Sequence, residues 1–225
     1  SFLDSVVAAI LFNLPLSPEL TSAIEMRLVT QSAGSTAALR RLRSVMGQAF
    51  ETGNHEHEAL LEEVWDLVTD GAIREGGRLT KEWGRLGFQG KDPASDFRGA
   101  GMLGLGALHH IATEFNHTAK AICDEVDAVA PNGFPLALAV ISVTDALMRL
   151  LEAHPLTSNA VFGACVDEED ALGTFYELFG KVFTAFARHH REAIQAFVSQ
   201  GGVPQMAVMQ YNSIHRGFFE GLGRG

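Results

Sequence analysis

Apolar residues recur at helical spacing along nearly the whole chain. Leu39, Leu42, Met46 and Phe50 form one stripe, and Leu60, Leu61, Val64, Trp65 and Val68 form another, the i, i+3, i+4 period of amphipathic helices. Pro135 suits the first turn of a helix that carries Leu136, Val140, Val143, Leu147, Leu150 and Leu151. That helix stops by His154-Pro155, because proline disfavours helix at the residue before it. The acidic run Asp167–Asp170 fits a helix N-terminus and precedes a long stripe through Leu172, Phe175, Tyr176, Phe179, Val182, Phe183, Phe186, Ile194 and Phe197. Gly201-Gly202 ends it, and Pro204 opens a last helix through Phe218 and Phe219. Loops are expected near Ser32–Ser35, Gly71–Gly77, Gly87–Ser95, Ala130–Gly133 and His154–Ser158. With no alternating strand, no repeat and no long linker, the 225 residues read as a single all-α, globular multi-helix domain over 1–225.

One segment breaks the pattern. Residues 83–105 hold six glycines, with Gln89, Asp92, Asp96 and Arg98 among them. Glycine costs about 1 kcal/mol relative to alanine inside a helix, so this stretch is suited to presenting backbone and polar groups. It overlaps a basic island, Arg74, Arg78, Lys81, Arg85, Lys91 and Arg98, in a chain of net charge −10. That overall charge argues against a general nucleic-acid or anionic-membrane binder. Cys123 and Cys165 make no disulfide framework, which suits a reducing compartment. The apolar stretches Ser5–Phe12 and Pro135–Val143 are far shorter than the ~20 residues that span a bilayer. Asp4 also stands where a secretion signal carries positive charge, so a soluble, intracellular protein is expected.

Other constellations are weaker. Gly99, Gly101 and Gly104 have dinucleotide-fingerprint spacing, but Pro93-Ala94-Ser95-Asp96-Phe97-Arg98 is no hydrophobic strand, and the fingerprint requires one. Close approach of a neighbouring helix or partner at Gly101 and Gly104 is the better account. No phosphate-binding loop ends in Gly-Lys-Ser/Thr, and no G-x-S-x-G elbow occurs. The pairs His55/His57, His109/His110 and His189/His190 lack the i, i+4 spacing and third ligand of a zinc site, so no metal is expected. Arg98 carries two readings. It pairs Asp96 or Asp92 and fixes a loop, or its fork, flanked by glycines, reaches for phosphate oxygens, which suit guanidinium better than ammonium.

Trp83, Leu86-Gly87-Phe88-Gln89-Gly90, Asp92-Pro93, Ser95-Asp96-Phe97-Arg98-Gly99, Gly101 and Leu103-Gly104-Leu105 closely resemble the ELMO-domain signature, W-x-x-x-G-F-Q-G-x-D-P-x-T-D-F-R-G-x-G-x-L-G-L. Ser95 stands for the usual threonine and keeps its hydroxyl. Phe134-Pro135-Leu136-Ala137 with Ile141-Ser142-Val143-Thr144 resembles a second, weaker block. Ala187-Arg188-His189-His190 departs from the family, which commonly has an aromatic there.

The resemblance implies an all-helical fold and one of two roles. Short ELMO-domain proteins accelerate GTP hydrolysis by Arf and Arf-like (Arl) small GTPases, with the arginine of D-F-R-G as the proposed finger. Longer scaffolds pair with DOCK-type exchange factors, and there the arginine is generally replaced. Because Arg98 is kept, the resemblance implies the GTPase-activating role. Arg98 would be catalytic, and Gln89, Asp92, Ser95, Asp96 and Gly99 would support the loop or touch the partner. GTP and magnesium would belong to the partner, leaving this chain no cofactor and no independent active site. It would be cytoplasmic and reach organelles through its partners. A non-catalytic scaffold or interaction module is the alternative.

Overall fold

The computed structural model describes residues 18–129, 134–165, 167–202 and 209–222. Among them are eight α-helices, two short 3-10 turns and no strand. The helices are α1 (Pro18–Gly47), α2 (His55–Thr69), α3 (Gly101–Glu114), α4 (Asn116–Val129), α5 (Leu136–Ala153), α6 (Pro155–Phe162), α7 (Glu168–Ser199) and α8 (Tyr211–Leu222). The 3-10 turns, Lys81–Leu86 and Pro93–Gly99, lie between α2 and α3.

Local chemistry sets most boundaries. The Asn54 side chain accepts from the Glu56 and His57 amides and starts α2, with Glu56 and Glu58 in its first turn. Asp167 starts α7 in the same way, accepting from the Glu169 and Asp170 amides at 2.9 and 2.8 Å. The organising element is α3. It packs against α1, α2, α4, α5 and α7, which is why Leu103, Leu105, Leu108 and Ile111 are all fully buried and its polar residues His109, His110, Thr113 and Glu114 fall only in its C-terminal half. The phenylalanines Phe175, Phe179, Phe183 and Phe186 are also fully buried along α7.

The structure corrects three sequence expectations. Ser32–Ser35 is not a loop but part of α1. Its small residues serve packing, since a Cβ at Gly34 would lie 3.5 Å from the Cys165 carbonyl, and Ser35 is buried. Phe50 lies beyond the end of α1, in the connection to α2, where it packs against Phe97. His154–Ser158 is largely the start of α6, because Pro155 occupies its first position, where a missing N–H costs nothing. Ser5–Phe12, Ala130–Gly133 and the start expected at Pro204 lie outside the described residues.

Where α8 meets α7, His190 is buried with its ring 4.9 Å from Phe134 and 5.7 Å from Tyr211. Burial, and secondarily neighbouring His189, pushes its pKa down to about 4. His215 is lowered as well, first by burial. A histidine depressed in the fold stays neutral there while the unfolded chain takes up its proton near pH 6.5. Stability is therefore expected to hold above pH ~6.5 and to fall on the order of 1–3 kcal/mol between there and pH ~4 from this group. Thermal melts across that range check it, and His190→Phe should flatten the slope.

Candidate functional site

Aromatic rings lie beneath the glycine-rich segment. Trp65 and Trp83 meet edge to face at 5.2 Å, Trp83 and Phe88 at 5.7 Å, and Phe88 and Phe97 at 5.7 Å. Phe97 then stacks on Phe50 at 5.9 Å. The two tryptophans, Phe88 and Phe97 are at most 5% exposed. A tryptophan buries on the order of 200 Å², a gross gain of about 5 kcal/mol at 25 cal/mol per Å². These rings form the floor of the segment.

The polar upper face is wired by short bonds. Trp83 Nε1 donates to the Arg78 carbonyl at 2.9 Å. Gly87 follows the first 3-10 turn at φ 85°, and a Cβ there would come 2.6 Å from Pro135 backbone. Asp92 opens the second turn, its Oδ1 accepting from the Ala94 amide at 3.0 Å. Ser95 Oγ donates to the Asp92 carbonyl at 2.9 Å. Asp96 Oδ2 accepts the Gln89 amide at 2.8 Å, closing the loop onto the turn. Arg98 Nε donates to the Ser95 carbonyl at 2.8 Å.

The candidate residues thus divide. Asp92, Ser95 and Asp96 hold the turn through their side chains, whereas Gln89 joins through its backbone and keeps its side chain exposed. Gly99 is exposed, and a Cβ there would meet nothing within 4 Å. Gly101 is different. It sits at φ 52°, and a Cβ would lie 2.1 Å from the Met46 carbonyl oxygen. The next amide, Met102, donates to Gln48 O at 2.9 Å. That glycine lets the start of α3 rest on the end of α1.

Arg98 is exposed, and it pairs with neither Asp92 nor Asp96. Both carboxylates are already engaged by other donors. The loop-fixing ion pair open to Arg98 on sequence grounds is absent from this geometry. One donor, Nε, is spent on the Ser95 carbonyl, and among the described residues the terminal nitrogens of the fork make no hydrogen bond.

Two of the six cations of the basic island are spent on contacts within the fold. Arg74 turns inward, its guanidinium 4.0 Å from the Trp83 ring centroid and 4.8 Å from that of Trp65, and it pairs with Glu62. Arg78 bonds Glu58 at 2.6 Å and Asp92 at 2.8 Å. Lys81, Arg85, Lys91 and Arg98 remain exposed. Arg74 and Arg78 escaped notice as site residues because their partners on α2 lie 12 and 20 positions away. No local spacing signals such pairs.

No three His, Cys, Asp or Glu side chains converge as a metal site among the described residues. Neither Cys123 nor Cys165 forms a disulfide. No helix of the described residues is long and apolar enough to cross a membrane.

A profile described as the ELMO/CED-12 family matches residues 40–214. ELMO domain-containing protein B of Dictyostelium discoideum is 32% identical over 208 residues, which cover 92% of this chain and 65% of that protein. ELMO domain-containing protein 1 of Mus musculus is 24% identical over 234 residues, covering 96% and 67%. ELMO domain-containing protein 2 of Homo sapiens is 28% identical over 159 residues, covering 69% and 54%. The chain therefore spans between about half and two thirds of the length of these relatives. No solved structure matches it.

Two substitutions separate framework from surface. Gly101→Ala should destabilise the domain by about 3 kcal/mol or more, through forbidden φ and a backbone clash. Arg98→Ala should stay within ~0.5 kcal/mol of wild type, as an exposed side chain outside the packing. Urea unfolding of the two variants beside wild type checks both.

Proposed function

The chain belongs to the ELMO/CED-12 family, and on that premise we propose that it accelerates GTP hydrolysis by an Arf- or Arl-class small GTPase, with Arg98 as the finger. The observation that carries this reading is an exposed guanidinium on a locked turn, with both nearby carboxylates already occupied.

The mechanism follows from the charge flow of phosphoryl transfer. GTP and Mg²⁺ belong to the partner GTPase, and this chain contributes no nucleotide site. Charge develops on the transferred phosphoryl group and its bridging oxygens as the bond to the leaving phosphate breaks. Arg98 enters the partner's pocket and neutralises that charge, while the partner orients the attacking water. A finger of this kind contributes on the order of 10³–10⁵ in rate, about 4–7 kcal/mol at 1.36 kcal/mol per decade. Preorganisation raises its worth, because a donor already in place needs no reordering at the moment of reaction. The bond from Arg98 Nε to Ser95 O fixes the root of the fork. The exposed surface of Gln89, Gly90, Lys91 and Gly99 beside it gives the partner room to dock closely.

Arg98→Lys tests the proposal, because it keeps the charge and discards the fork. In single-turnover hydrolysis across a panel of purified Arf and Arl GTPases, wild type should accelerate one or more members. Arg98→Lys should lose roughly 10²-fold or more of that acceleration with an unchanged unfolding midpoint. Equal rates from the two proteins across the panel would instead identify a non-catalytic interaction module.

A further inference from the structure

Beyond the packing of Phe97, the turn that carries Arg98 is tied to α2 by a half-buried cation. Arg78 lies in the connection after α2, and its guanidinium is gripped from both sides. Nε donates to Glu58 Oε2 on α2 at 2.6 Å, and Nη1 donates to Asp92 Oδ1 at 2.8 Å. The fork also lies 5.5 Å from the Phe50 ring centroid, and the residue's own carbonyl accepts from Trp83 Nε1. Arg78 is thereby fastened to the first helix turn of α2, the aromatic floor and the site turn together.

Asp92 passes that constraint on. The oxygen that Arg78 holds also accepts the Ala94 amide, and the Asp92 carbonyl accepts both the Ser95 amide at 3.2 Å and the Ser95 hydroxyl at 2.9 Å. The Ser95 carbonyl then accepts Arg98 Nε. A continuous chain of hydrogen bonds runs from Glu58 through Arg78, Asp92 and Ser95 to Arg98. We infer that Arg78 is a positioning residue for Arg98, setting the orientation of the turn from which that arginine projects without itself touching the partner.

Three features of the chemistry support the assignment. The pair is bonded on two edges of a planar fork, which fixes direction as well as distance in a way a lysine cannot reproduce. Burial works against the charge of Arg78, but hydrogen bonds to Glu58 and Asp92 outweigh it and hold the pKa above the ordinary arginine value, so the clamp stays charged across the physiological range. And the Asp92 cap bond to Ala94 is internal to the turn, so Arg78 is the link from that carboxylate to α2, acting beside the packing of Phe97 and the Gln89–Asp96 bond.

The inference rests on the GTPase-activating reading for its kinetic consequence, but not for its structural one. The experiment titrates wild type, Arg78→Met and Asp92→Asn against a GTPase that wild type stimulates, each also in an Arg98→Ala background. Asp92→Asn keeps a capping oxygen while removing the charge that Arg78 holds. Both variants should lower the plateau rate about 10- to 100-fold, as misplacing a reacting group does, with the half-saturating concentration changed less than about twofold. In the Arg98→Ala background the further loss should vanish, because a misdirected finger and an absent one are the same defect. An unchanged plateau, a raised half-saturating concentration at unchanged plateau, or an equal fractional loss without Arg98 would each overturn the assignment.

A second readout needs no GTPase. By ¹⁵N NMR, hydrogen exchange at Arg98 Nε–H and at the Ala94 amide should quicken in Arg78→Met, while Phe179 and Val182 amides in α7 keep their wild-type protection. Exchange at Arg98 and Ala94 unaltered in Arg78→Met would overturn the inference even if wild type stimulated every GTPase tried. Conversely, failure of wild type to stimulate any GTPase would sink the functional reading and leave this result to decide the positioning role. Should Arg78→Met fail to fold, the same comparison is made with Asp92→Asn.

Discussion

The contact on which the rest depends is between the end of α1 and the start of α3. Carbonyls left over at a helix C-terminus need donors, and amides at a helix N-terminus need acceptors. Here the Gln48 carbonyl accepts the Met102 amide, and Gly101 makes the approach possible by having no Cβ to strike the Met46 oxygen. The helix so anchored is the one that touches α1, α2, α4, α5 and α7. The turn bearing Arg98 runs straight into it, with Ala100 buried at the junction. Placing α3 therefore places the site turn within a residue or two.

On that frame the domain does something uncommon with its charges. Arg74 and Arg78 are turned toward tryptophan and phenylalanine rings and matched to carboxylates on α2 and in the site turn. Partly buried pairs of this kind give little net stability, since desolvation offsets most of the attraction, but removing one partner strands the other. Their consequence is geometric. They join a helix, a floor of aromatic rings and a turn, and Arg78 occupies Asp92 while the Gln89 amide occupies Asp96, so neither carboxylate pairs with Arg98. An arginine held at its root and open at its tip is the arrangement that the proposed finger requires.

The attachment of the last helix works on a different principle. There α8 is held to α7 through aromatic rings and histidines whose pKa values burial lowers, and to α5 by the hydroxyl pair Ser142 and Tyr211 at 2.7 Å. His190 is part of Ala187-Arg188-His189-His190, the stretch read from sequence as a departure from the family pattern, and its imidazole packs against Phe134 and Phe186.

Much of the architecture was legible in one dimension. Helix periodicity, the acidic helix start at Asp167–Asp170 and the dense motif around Arg98 are local properties, and each depends on residues within a few positions of one another. They established the all-α class, the family, and the arginine on which the functional proposal rests. Where local composition misled, a long-range contact was the cause. The small residues at Ser32–Ser35 looked like a loop because nothing nearby said that α1 passes close to the Cys165 backbone. Within the basic island, charge alone does not reveal which side chains turn inward. That choice was made by Glu58 and Glu62, a helix away, together with rings brought beneath the segment by packing. Sequence by itself determined which residues could do chemistry. Only the tertiary structure decided which cations are spent on the fold and which stay exposed, because pairing is a matter of distance in space and not along the chain.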